Sequence, residues 1–263
     1  MKVNRLGRIV EEGSTGLIGV RPHVATEMIL CIPGPWADRS EFLRAVITLE
    51  PKGRYMFAGL VLADLVAKDH VPLEIHSADP HMAQAFKLAG QGRLPPEVMH
   101  SLQQHKSAAY LHFPADMASQ RQRIVSFSQI IRSAGGIAVK VESSGVAHPW
   151  ERWMDLLGGT PFEQYSALVT LIGDERSYYS CGMHHFGLPE CEVSNSFAVA
   201  EAADLMNRFN FWQAAENPAL ADGHTFSVAQ EAPRFAMHRK PDTRHEPNHP
   251  SFNPHGVWQL HAS

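Results

Sequence analysis

Apolar residues come in short bursts along this chain, and the spacing within each burst changes from one element to the next. Residues 28–32 form an unbroken apolar run ended by Pro33-Gly34-Pro35, the pattern of a buried strand that feeds a turn, because proline cannot donate to a ladder. Phe42, Leu43, Val46, Ile47 and Leu49 then recur at helical spacing behind Asp38 and Ser40, either of which can cap, until Pro51 and Gly53 end the helix. Residues 55–62 and 71–75 read as strands, although residues 60–66 fit a helix equally well. Two helical stretches follow, 79–88 with Pro80 in its first turn and 95–105 behind a double proline. A second strand, helix, strand unit comes next. AAYLHF over 108–113 is a strand, 116–133 carries Ile124, Val125, Phe127, Ile130 and Ile131 on a helical repeat, and IAVKV over 137–141 alternates as a half-buried strand does.

Beyond this point the pattern predicts a helix over 149–157 stopped by Gly158-Gly159, a strand over 167–172, and a second strand over 177–181 at hairpin distance. The last long helix spans 197–212. Residues 231–263 then hold five histidines and five prolines, a composition that disfavours long regular elements and reads as a tail laid over the domain, with a closing strand at 257–260. The first 26 residues, rich in glycine and poor in periodicity, read as an arm. Together these elements predict an α+β fold, a mixed sheet packed with helices over 27–230, whose order suits two βαβ-type halves meeting near 104–107.

Composition narrows the class of function. Hydrophobic residues make up 44% of the 263 and charged residues 19%, a globular balance. The formal charge of -4 lacks the basic excess of nucleic-acid binders, so no nucleic-acid partner is expected. Three cysteines, Cys31, Cys181 and Cys191, are too few and odd in number for a disulfide scaffold, which points to a reducing, cytoplasmic setting. Glu11 and Glu12 break the start before any export-signal core, and the longest apolar window, 55–67, is interrupted by Asp64 and too short for a membrane span.

Candidate chemistry gathers in two segments. In residues 181–191, Cys181, His184, His185, Glu190 and Cys191 are all zinc-ligand types, and Cys181 to His184 has the spacing of half a zinc site. A rigid turn, set by Gly182 and Gly187 and closed by Pro189, explains the same residues without a metal. In residues 142–148, Ser144 and His148 follow a strand, where α/β architectures place ligands and where a serine near a histidine suggests a hydrolase. No nucleophile-elbow pattern surrounds that serine, and a loop leading to Pro149 is the plainer account. Gly90-Gln91-Gly92 lacks the third glycine of a dinucleotide fingerprint, and no phosphate-binding loop motif occurs. Among the C-terminal histidines only His245 and His249 have a helical ligand spacing, and Pro247 lies between them.

The segment YYSCGMHHFGLPECEV over 178–193, with the upstream GGIAVKVESSGVAH and ILCIPGPWADRSEF, resembles a bacterial family of domains of unknown function, family 4261. Its hallmark, G-x-x-x-F-G-x-P-E, falls on Gly182, Phe186, Gly187, Pro189 and Glu190, behind the aromatic pair Tyr178 and Tyr179. The resemblance implies an accessory bacterial protein, met beside toxin and secretion genes, and brings no catalytic residues. With no complete catalytic or cofactor motif, the sequence favours a cytoplasmic protein-binding module over an enzyme, its acidic surface steering it onto a basic protein partner. The alternative is a small hydrolase, either metal-dependent with zinc on Cys181, His184, His185 and Cys191, or serine-based with Ser144, His148 and Glu190.

Overall fold

A computed structural model of the protein describes residues 2–3, 9–10 and 26–262. The expected arm over 1–26 lies outside the described residues except for Thr26 and a short ribbon pairing β1 (Lys2–Val3) with β2 (Ile9–Val10). The apolar run after Thr26 becomes β3 (Glu27–Gly34). It leads into α1 (Arg39–Thr48), where the Asp38 carboxylate accepts from the Glu41 N–H as an N-cap. Then come β4 (Tyr55–Ala58), β5 (Val61–Asp64) and β6 (Asp69–Ser77), with Gly59 at φ +58° turning the run that reads as one strand into a hairpin. Two helices, α2 (Met82–Gly90) and α3 (Pro96–Gln103), precede the long β7 (Ser107–Pro114). The first layer ends with α4 (Met117–Ser133), capped by Asp116, β8 (Val139–Val141), β9 (Val146–His148) and α5 (Trp150–Gly158).

These strands form a seven-stranded sheet in the order β4-β5-β6-β7-β3-β8-β9, antiparallel at every pairing. The strand, helix, strand unit at 107–141 is present, but β3 is inserted between β7 and β8 and runs against both, so the unit is a split βαβ with no parallel ladder. Helices cover both faces. Met28, Leu30, Ile32, Leu111 and Phe113 pack under α1, α4 and α5 around the fully buried Trp153. On the other face Cys31, Ala108, Ala138 and Ala147 meet Met82 and Phe86 of α2 and Leu102 of α3. Each large side chain sealed this way contributes about 1.5–3 kcal/mol.

The second layer begins after α6 (Pro161–Leu168), a helix with a full capping box between Thr160 and Glu163 that takes the first residues of the strand expected over 167–172. Its strands are β10 (Thr170–Gly173), β11 (Ser177–Cys181), β12 (Glu190–Ser194), β13 (Thr225–Phe226), β14 (Phe235–Lys240) and β15 (Val257–Ala262), with α7 (Val199–Glu216) between β12 and β13. The order is β10-β11-β12-β15-β14-β13, and β12 with β15 is the parallel pair that makes this sheet mixed. Cys191, Val193, Met237 and Leu260 pack against Leu205, Met206 and Phe209 of α7. The α+β class is as expected, with two corrections to its organisation. Halves do not meet near 104–107, because β7 starts at Ser107 in the middle of the first sheet; the layers join across α5 and α6. Residues 231–263 are not an appended tail, since β14 and β15 lie inside the second sheet and their long-range pairing fixes the proline-rich stretch between them.

Candidate functional site

The chain leaves β11 at Cys181 and must reverse at once. Gly182 does this at φ +124°, and a Cβ there would lie 2.2 Å from the Leu168 carbonyl oxygen, so no other residue fits. A turn of 3-10 helix, Met183–Phe186, follows, and Gly187 leads back to β12. The reversal carries His184 and His185 into the space between the layers, where both are completely buried.

Two polar chains meet there. From the first layer, Ser143 in the β8–β9 connection places its Oγ 3.1 Å from His185 Nε2 and 3.4 Å from the Ile29 N–H. From the second, the Glu190 carboxylate accepts from Ser180 Oγ at 2.7 Å, from the Gly182 and Met183 N–H groups at 3.0 and 2.9 Å, and from Asn253 Nδ2 at 3.0 Å. His184 Nδ1 is a longer 3.4 Å from the same carboxylate. The two imidazoles touch, with ring centroids 4.0 Å apart. Burial alone would raise the Glu190 pKa, but the bonds from His184, Ser180 and Asn253 outweigh it and hold the carboxyl below its ordinary range. His185 is pushed well below the usual histidine value by burial and then by His184, so it is neutral at pH 7.

The sequence-predicted residues divide accordingly. His184, His185 and Glu190 come together, but the serine on the histidine is Ser143, not Ser144. Ser144 Oγ is buried without a hydrogen-bond partner among the described residues. His148 turns away, its Nε2 3.0 Å from the Ala167 carbonyl and its ring stacked on Trp153, and burial lowers its pKa to about 4. Cys181 and Cys191 lie apart: Cys181 Sγ is 3.8 Å from the Ser143 carbonyl, whereas Cys191 sits in the core under α7. Burial raises the pKa of both thiols, with Glu190 adding to the effect, so both are protonated at pH 7. Among the described residues no group of three or more His, Cys, Asp or Glu is placed to hold a metal ion, so the proposed zinc ligands do not form a set.

Ser180 and Asn253 carry no signal in the sequence, and Ser143, inside the candidate segment 142–148, is the neighbour of the serine singled out there. Ser180 precedes the histidines on β11, and Asn253 lies in the histidine-rich stretch, where its neighbours drew attention to imidazole rather than amide chemistry. Nearby, Glu192 on β12 accepts from Lys240 at 2.9 Å, Arg244 at 2.5 Å and Gln259 at 2.8 Å, while Arg244 stacks on Tyr179 at 3.9 Å. Residues 241–256 thereby close over this face of the second sheet.

A serine nucleophile needs a base in contact and an orienting group behind that base. The first contact exists here and the second does not: His185 Nδ1 has no hydrogen-bond partner among the described residues, and the carboxylate serves His184 instead. No family model matches the chain, nor does any curated protein or solved structure. Among the described residues, no helix is long and apolar enough to cross a membrane.

Proposed function

We propose that the protein is a non-catalytic protein-binding module, a cytoplasmic bacterial accessory protein of the kind that neutralises a toxin or accompanies secretion. The observation that supports this reading is the sealed state of the serine, histidine and carboxylate groups. Ser143, His184 and His185 are 0% exposed, and their bonds join one layer to the other. A substrate has no route to Ser143 Oγ without parting the layers, so the polar groups serve the junction. Three buried, unbridged cysteines agree with a reducing compartment.

The hydrolase alternative draws on the single 3.1 Å contact between Ser143 Oγ and His185 Nε2. The test is p-nitrophenyl acetate hydrolysis by the wild type and by Ser143→Ala, with circular dichroism confirming that both are folded. Equal rates are expected. Turnover that disappears in the folded Ser143→Ala protein overturns the non-catalytic reading.

A further inference from the structure

Helices α2 and α3 cover only part of their face of the seven-stranded sheet. Beyond the buried Cys31 and Ala108, that face continues through Ile29, Tyr110 and Lys140, which remain half-buried. Two adjoining cavities open over these residues, one of about 360 Å³ against Tyr110 and Met82, the other of about 290 Å³ against Thr26 and His249. They share Ile29 and Pro250, and so form one groove between α2 and the loop that closes over the second sheet.

The groove has an aromatic floor and an acidic rim. His76 meets Tyr110 edge to face at 4.9 Å and fixes the plane of its ring. Glu27, Asp79 and Glu142 line the walls together with His112, His249 and Lys140; Lys140 is 2.6 Å from Glu142 and His112 is 3.0 Å from Glu27, which leaves Asp79, among the described residues, without a cationic side chain against it in the groove. Tyr110, Asp79 and Glu142 line the same cavity, and burial first, then Cys31, Glu142 and Asp79, raise the Tyr110 pKa. The strands beneath, β3, β7 and β8, are interior to the sheet with their backbone groups paired. Recognition here therefore falls to side chains and not to strand addition.

We propose that this groove binds an extended basic segment of a partner protein, with one lysine or arginine side chain lying along the Tyr110 ring and its charge between Asp79 and Glu142. The proposal rests on the protein-binding reading above. Cation–π attraction and carboxylate pairing act together at such a position, and both favour a cation over a neutral or acidic side chain.

Isothermal titration of the full chain with a short capped peptide alternating alanine and arginine tests it, with the glutamate counterpart as control. Glu142→Lys is compared with Glu201→Lys, which makes the same charge change on the exposed side of α7. The arginine peptide is expected to bind, about tenfold more weakly to Glu142→Lys and unchanged to Glu201→Lys, while the glutamate peptide does not bind. Absence of arginine-peptide binding, or equal weakening by both substitutions, overturns the groove. The ester assay is independent of this result. Ser143-dependent turnover alongside groove-specific binding would remove the non-catalytic reading and leave the groove, whereas no turnover and no binding would do the reverse.

Discussion

Two regions, the groove face of the first sheet and the loop-covered face of the second, carry similar polar residues and use them in opposite ways. On the first, His76 with Glu74, His112 with Glu27 and Lys140 with Glu142 form pairs at 2.6 to 3.0 Å, and each keeps some contact with solvent. On the second, Glu190 and Glu192 are buried and each meets several donors, under a loop held down by Asn253 and Arg244. An exposed pair gains little, because water solvates both partners almost as well as they solvate each other. A buried carboxylate has lost that alternative, and every donor around it becomes structural. The difference teaches that these half-exposed pairs on the first sheet are free to serve recognition, whereas Glu190 and Glu192 are committed to the fold, as is Asp64 on β5, buried and held by Arg54 and two backbone N–H groups.

Removing a carboxylate from each region would break or confirm that contrast. Glu190→Ala strands Ser180 Oγ, two backbone N–H groups and the Asn253 amide in a sealed site, and is expected to cost about 3–5 kcal/mol. Glu190→Gln retains one acceptor oxygen and is expected to cost less, about 1–3 kcal/mol. Glu142→Ala on the first sheet leaves a half-buried Lys140 that can still turn toward solvent, and is expected to cost about 1 kcal/mol. Urea unfolding measures all three, and equal losses at Glu190 and Glu142 would dissolve the distinction between the regions.

The same distinction explains what the sequence made legible. Elements built on local periodicity were readable: α1 with its Asp38 cap, α4 with its Asp116 cap, and the β10–β11 hairpin all follow from residues close together in the chain. Elements defined by distant pairing were not. In β14, FAMHRK gives a weak apolar signal, because His238 and Lys240 lie opposite Gln259 and Val257 of β15 on the face away from α7, and β15 becomes central through its parallel ladder with β12, more than 60 residues away. The junction shows the same limit. Its histidines and Glu190 lie in one segment and stood out, but choosing Ser143 over Ser144 depended on which hydroxyl the β8–β9 turn aims across a 42-residue separation.

Acid should separate the buried from the exposed histidines next. His148 has a folded pKa of about 4 against 6.5 unfolded, and His185 is shifted the same way. The unfolded chain therefore takes up protons first. Stability is complete above about pH 6.5 and is lost as pH falls toward 4, by up to about 3 kcal/mol for His148. Glu190 and Glu192, both held below the ordinary carboxylate range, extend the loss below pH 4.5. His148→Gln keeps a donor for the Ala167 carbonyl and is expected to flatten the urea midpoint between pH 6.5 and 4. An unchanged pH profile in that variant would mean that His148 is not held neutral by its burial.

The smallest expected effect sharpens the contrast most closely, because it compares like with like as a coupling between two side chains. Glu74 and His76 are 2.8 Å apart with side chains 47% and 57% exposed, so a double-mutant cycle to alanine at pH 7 is expected to give under about 0.5 kcal/mol, fading as salt is raised. Glu192 and Arg244 are 2.5 Å apart with side chains 9% and 24% exposed, and Arg244 also meets Asp174, Ser177 and the Tyr179 ring. Their cycle is expected to give about 1–3 kcal/mol and to resist salt, since neighbouring side chains exclude the ions that would screen it. Bond length alone would make the two couplings nearly equal. A ratio of severalfold between them would show that covering by residues 241–256, not proximity, makes the second sheet's charges structural. Equal couplings would mean that the loop lies over that face without excluding solvent from it.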